Sequence, residues 1–303
     1  MTAIRLLMSL LRLFCCADLL FGLPRRPTCS MKTFAVATDL TPHANRAADF
    51  AIQLAHAQQA SLVLMNAFHY WPTNPVETVE DALLGAQSLQ DANQRALRHL
   101  ANELHNHYGS DVPIRCVAKE GNLIPTIREV VQAEKIDLLL MSTAGSTPFS
   151  AQPMGQVATE MVPETPVPLL LIPPSAEYAA IKNIVLSLDL DTPPDAVVFD
   201  TALRFARQLG CVLNVLCIHE QPTDAAVRGR AEHIRHLMAT IPHTLTILPG
   251  KEVYDILLVF AHTNKADLIM MLPQAHSWLW PLFGEGETQR MARLTDIPLL
   301  VVI

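Results

Sequence analysis

The chain repeats itself over a long period, and that repeat constrains its fold more than any single motif. Lys32-Thr-Phe-Ala-Val-Ala-Thr-Asp39 returns 150 residues later as Lys182-Asn-Ile-Val-Leu-Ser-Leu-Asp189, and the same offset carries His69 onto His219. Asp137-Leu-Leu-Leu-Met141 returns as Asp267-Leu-Ile-Met-Met271, now 130 residues later. The second offset runs without a gap to Pro168-Leu-Leu-Leu-Ile172 and Pro298-Leu-Leu-Val-Val302. A period this long marks two related domains in tandem, not a solenoid of short repeats. The change of offset makes the second copy 20 residues shorter between its second and fourth strands, a deficit expected largely in the helix before the third.

Within each copy, apolar runs of strand length alternate with helical periodicity, the pattern of a parallel α/β sheet. The first copy predicts strands near Thr33–Thr38, Ser61–Ala67, Ile114–Ala118, Leu138–Met141 and Leu169–Ile172. Its helices are expected near Pro42–Gln58, Glu80–His107, Ile124–Ala133 and Gln156–Val162. The second predicts strands near Asn183–Leu188, Val212–Ile218, Thr244–Ile247, Leu268–Leu272 and Leu299–Val302. Its helices are expected near Asp195–Leu209, Asp224–Ala239, Val253–Thr263 and Glu287–Leu294. Domains are therefore expected at 31–175 and 180–303, parted by Pro173-Pro174-Ser175.

Residues 1–30 stand outside the repeat. Leu6–Leu23 is apolar, but Arg12 and Asp18 interrupt it, each at a cost of roughly 2.5–3.5 kcal/mol at a bilayer centre. Because Met31 is flush with the first strand, a start codon upstream of the true start is the favoured reading. A tail and a targeting segment are the other two.

A composition of 50% hydrophobic and 17% charged residues fits a cored globular protein. A net charge of −7 supplies no basic field for nucleic acid. Cys116, Cys211 and Cys217 lie in apolar runs and Cys15, Cys16 and Cys29 in the first thirty residues, with no C-x-x-C pair. Reduced core thiols of a cytoplasmic protein are expected.

In an open parallel sheet, ligands bind beyond the carboxyl ends of the strands, where the strand order reverses. Three segments of the first copy converge there: Thr38-Asp39-Leu40-Thr41, Ala67-Phe68-His69, and the small, hydroxyl-rich loop from Met141 to Val157. That loop leads into a helix, whose free N–H groups favour phosphate. Asp39 and Asp189 recur, either as partners for a ligand amine or as supports for the next helix. His69 and His219 are read as equivalent strand ends.

The Asp after strand one, the Asp-Leu-Leu-Leu-Met strand with its glycine loop, and the closing Val-Pro-Leu-Leu-Leu-Ile resemble the universal stress protein family in its tandem form, over Met31–Ile303. The resemblance implies two tandem open parallel-sheet α/β domains, Rossmann-like and of the adenine nucleotide alpha hydrolase type. They would form an internal pseudo-dimer joined through their last strands. ATP-binding members carry Gly-x-x-Gly, nine residues, then Gly and Ser or Thr. Here the pattern reads Ser142-x-x-Gly145, nine residues, Gly155-Gln156. Carried over, adenine would lie near Thr38, Asp39 and Ala67. Met141, Ser142 and Gly145 would flank ribose and phosphate, with Gly155, Gln156 and Val157 at the helix start. The alternative is that the glycines serve only turns of the loop.

In the second copy Ser142 becomes Leu272, Gly145 becomes Ala275 and Gly155 becomes Glu285. A carboxylate there repels a triphosphate by roughly 1–4 kcal/mol. ATP or another adenine nucleotide is thus expected in the first domain only. Trp278, Trp280 and Phe283 predict a loop folded on its own crevice or, if exposed, a surface for a partner or self-association.

No P-loop, G-x-G-x-x-G or G-x-S-x-G occurs. The pairs His233/His236 and His99/Glu103 read as solvated helix faces, so no metal is expected. With no paired acid and base, the expectation is a cytoplasmic, non-enzymatic stress-response module. A weak ATPase and a ligand-free partner-binding protein are the rivals.

Overall fold

The computed structural model describes residues 31–71, 78–144, 161–162, 164–192, 194–251, 253–272 and 295–303. The first half comprises β1 (Thr33–Ala37), α1 (Pro42–Gln58), β2 (Ser61–Phe68), α2 (Val79–Tyr108), β3 (Ile114–Glu120), α3 (Leu123–Glu134), β4 (Leu138–Ser142) and β5 (Leu169–Ile172). The second comprises β6 (Asn183–Leu188), α4 (Ala196–Leu209), β7 (Val212–Ile218), α5 (Ala225–Leu237), β8 (His243–Leu248), α6 (Val253–Thr263), β9 (Leu268–Met271) and β10 (Leu299–Val301). The expected helix Glu287–Leu294, and Gln156–Val162 up to residue 160, lie outside the described residues.

Helix starts follow local chemistry. Thr41 caps α1 through the Ala44 N–H, with Pro42 in the first turn, where a missing N–H costs nothing. Thr78 and Asp81 form a reciprocal capping box on α2. Asp195 and Asp224 cap α4 and α5, each accepting two backbone N–H groups.

All ten strands form one sheet in the order β3-β2-β1-β4-β5-β10-β9-β6-β7-β8. Pairing is parallel within each half and antiparallel only between β5 and β10, where Leu170 stands opposite Leu300. The two halves are therefore mirrored in strand order about that seam: two open parallel α/β sheets in tandem, joined as an internal pseudo-dimer. Pairing these short apolar strands removes two edges that would invite aggregation.

Helices cover both faces. Apolar side chains of α1, α2, α4 and α5 pack on one face in a core that runs from Phe34 through Leu170 and Leu300 to Ile234. Those of α3 and α6 pack on the other, around Ile127, Leu139, Leu257 and Ile269. The halves are tied outside the sheet as well. Gln208 of α4 holds the Met31 backbone at both N–H (2.9 Å) and C=O (3.1 Å). Tyr178 of the connector meets Phe50 of α1 edge-on at 5.2 Å.

The repeated Asp-Leu-x-x-Met strand begins with a clamp at the amino end of the sheet. Asp137 accepts the N–H groups of Lys32 and Thr33 at 2.7 and 3.0 Å, and Asp267 those of Lys182 and Asn183 at 2.8 and 2.9 Å. These carboxylates thus order the entry of β1 and β6, at the opposite end from the crevice. The shorter second copy is explained chiefly by α5, with 13 residues against 30 in α2.

One expectation is corrected by the register. Thr33 pairs with Ser61, but Asn183 pairs with Val212. One residue more therefore separates the first two strands of the second half, and His219 stands level with Phe68. His69 and His219 each directly follow their strand, but in the ladder they are offset by one residue.

Candidate functional site

At the carboxyl ends of β1, β2 and β4 the sheet ends in a polar row. Ala37 pairs with Met65 on one side and Met141 on the other, so the next residues, Asn66, Thr38 and Ser142, stand abreast across three strands. Alternation turns them to the face that holds α1. Thr38 is 5% and Asn66 7% exposed, and they are bound together: Asn66 Nδ2 donates to the Thr38 carbonyl at 2.8 Å. The second polar atom of that amide, Asn66 Oδ1, is buried without a hydrogen-bond partner among the described residues. An orphaned buried acceptor costs about 1–3 kcal/mol, a deficit that a donor on a ligand would remove.

The turn from β1 to α1 is strained. Leu40 has φ 64°, a left-handed conformation that is uncommon for a residue with a branched side chain. It is held there by its N–H on Thr38 Oγ1 at 2.9 Å and by Asp39 Oδ1, which accepts from the Thr41 N–H (3.0 Å) and hydroxyl (2.6 Å). Asp39 therefore supports the capping residue of α1, one of the two roles open to it. Strain of this kind, worth about 1–3 kcal/mol, tends to collect at binding sites.

Thr38, Asp39, Ala67, Met141 and Ser142 thus stand together at one end of the sheet. Met141 turns its buried side chain into the core of the other face, leaving only its backbone for the crevice. Ser142 Oγ accepts from the Ala144 N–H at 3.1 Å. Gly145, Gly155, Gln156 and Val157 lie outside the described residues, as do Trp278, Trp280, Phe283 and Glu285. His69 is exposed, its ring 4.7 Å from that of Trp71 and tilted 56° to it. Asn66 was not among the expected site residues. Its signal was a lone amide within the apolar run Leu62-Val-Leu-Met-Asn66-Ala-Phe68.

The second half carries no such row. By register, Thr38 becomes Leu188, Asn66 becomes Cys217 and Ser142 becomes Leu272. All three are buried and belong to one apolar core. Burial, with the Asp189 carboxylate nearby, pushes the Cys217 thiol up to about 12, so it stays neutral. The β6–α4 turn has no left-handed residue among those described. Asp191, in that turn, pairs instead with Arg230 at 2.6 Å and faces His219 Nε2 at 3.2 Å.

His99 and Glu103 meet at 3.3 Å on an exposed face of α2. Among the described residues no group of three or more His, Cys, Asp or Glu is placed to hold a metal ion. No helix among them is long and apolar enough to cross a membrane.

Duplicated open α/β sheets with a polar row near the carboxyl ends of the strands define the class of fold in which ligands, where bound, sit at the switch point. The model of the Universal stress protein family matches residues 31–173, so the first half of the chain is similar to that family's domain. A universal stress protein from Archaeoglobus fulgidus DSM 4304 shares the fold across both halves, at 12% identity, 90% of this chain, 98% of that one and a TM-score of 0.62. A functionally unknown protein from Pseudomonas aeruginosa PAO1 does so at 15% identity, 91% and 93% coverage and a TM-score of 0.58. Among curated proteins, none matches the chain.

Proposed function

We propose that the protein is a non-catalytic, cytoplasmic stress-response module that binds ATP or another adenine nucleotide in its first half only. The observation that carries this reading is the row Asn66–Thr38–Ser142 with its orphaned Asn66 Oδ1, set against Cys217–Leu188–Leu272 in the second half. An exocyclic amine is the kind of donor that the Asn66 acceptor lacks. The exposed Asp39 carboxylate favours a ligand's amine or hydroxyl and repels its phosphates, which supports a base and ribose at this end. The phosphates would fall to the loop from Gly145 to Val157, whose glycines and helix start the resemblance assigns to that role. Binding would act on partners through the contacts of the crevice loops.

The full chain is the test object. Small molecules released from it on denaturation are identified by mass spectrometry, and its melting temperature is read against ATP concentration. At ATP one hundred times the dissociation constant, the stabilisation is about 2.7 kcal/mol. Thr38→Leu with Asn66→Cys, which copies Leu188 and Cys217 of the second half, abolishes the shift. A chain that releases no nucleotide and whose melting is indifferent to ATP would contradict the reading. Steady phosphate release that Gly155→Trp abolishes would replace the non-catalytic part by an ATPase.

A further inference from the structure

The two ends of the sheet are finished differently. At one end α2 seals the outer edge of β3. The Gln94 amide accepts from the Ala118 N–H at 2.9 Å and donates to the Cys116 carbonyl at 2.9 Å, while Gln90 donates to the Ala118 carbonyl at 3.3 Å. Glutamine side chains, with both donor and acceptor, stand in for a neighbouring strand.

At the other end β8 is treated otherwise. Leu62 pairs with Ile114 and Leu213 with His243, so Leu245 and Ile247 are the counterparts of Cys116 and Ala118. The Pro242 and Leu248 carbonyls accept from β7 at 2.9 and 3.0 Å, from Leu213 and His219, so the backbone of Leu245 and Ile247 faces outward. Arg235 takes the Gln94 position on the Leu245 carbonyl at 3.2 Å. A guanidinium has no acceptor, and the Ile247 N–H and C=O have no hydrogen-bond partner among the described residues. The cause is the shortened helix. Both α2 and α5 end the same distance before their strands, so the turns missing from α5 are the N-terminal ones that in α2 carry Gln90 and Gln94.

Between α5 and this open edge runs a groove of about 540 Å³, lined by Pro222, Arg228, Gly229, Glu232, Arg235 and Ile247. Its one carboxylate, Glu232, is paired with Arg235 at 3.0 Å. Arg228 is exposed and has no partner among the described residues.

We propose that an extended acidic peptide segment of a partner protein adds to the sheet beside β8, bonding to the Ile247 N–H and C=O and presenting a carboxylate to Arg228. An edge strand flanked by a helix is a recurrent seat for strand addition, with main-chain bonds for affinity and side-chain pockets for choice. Charge selects the occupant. A second copy would offer His243-Thr-Leu-Thr-Ile-Leu248, which has no carboxylate, and residues 1–30 carry four arginines against one aspartate.

The probe is a fluorescein-labelled eight-residue peptide alternating valine and glutamate, titrated into the full chain by anisotropy. Expected are saturable binding, at least about tenfold weaker binding of a valine–lysine counterpart, and the same loss with Arg228→Glu. On the unaltered protein, N-methylation of alternate peptide residues abolishes binding in one of its two phasings, and the peptide slows hydrogen exchange at the Ile247 amide. The proposal is overturned if the glutamate peptide does not bind or binds no better than the lysine one. It is overturned equally if neither N-methyl phasing matters, or if sedimentation finds the chain self-associated with Ile247 already protected.

Discussion

At the scale of single residues, burial decides what the described cysteines do. Cys211 and Cys217 sit within the apolar core, and desolvation pushes their thiols up to about 11 and about 12. At pH 8 fewer than about one such thiol in a thousand is ionised, and the thiolate is the reactive form. Iodoacetamide labelling mapped by peptide mass spectrometry should therefore leave both unmodified in the native chain and modify both after denaturation. Rapid labelling of native Cys217 would show that the second crevice is open. The same burial marks the contrast between halves: an amide at 66 keeps an unmet acceptor, whereas a neutral thiol at 217 demands little.

At the scale of elements, the helix starts make the clearest test. Two N–H groups, of Val227 and then Ala226, hold the Asp224 carboxyl below its ordinary 3.8. A depressed carboxyl adds stability that is fully present above the unfolded value and disappears as pH falls through the folded one. Asp224→Ala should thus lower the melting temperature at pH 7, and the difference from wild type should shrink toward zero as pH drops below 3.8. A loss independent of pH would mean that the carboxylate does not act as the cap. Helix and strand positions were legible at this scale because side-chain periodicity is local: α1 starts at Pro42 and β6 at Asn183, as their apolar patterns predict. The exchange of Gln94 for Arg235 at the outer edges was not legible, since neither residue is near its strand in sequence.

At the scale of the whole molecule, one apolar core crosses the seam between halves, with Leu170 and Leu300 fully buried at its centre. Leu170→Ala should cost about 2–5 kcal/mol and weaken both halves together. Urea unfolding followed by tryptophan fluorescence and by far-ultraviolet circular dichroism should give one coincident transition in the wild type. A second, unshifted transition in the variant would mean that the halves unfold independently.

The chain's own pattern determined that there are two related α/β sheets, where their elements lie, and that the first copy carries the richer polar ends at Thr38, Asp39 and Ser142. Those features follow from local alternation and from repeated residue types, which need no neighbour to be read. Tertiary structure alone decided the register. Strand pairing set Asn66 beside Thr38, moved His219 level with Phe68, and left Ile247 on an open edge, because hydrogen bonds across a sheet join residues that the sequence keeps far apart.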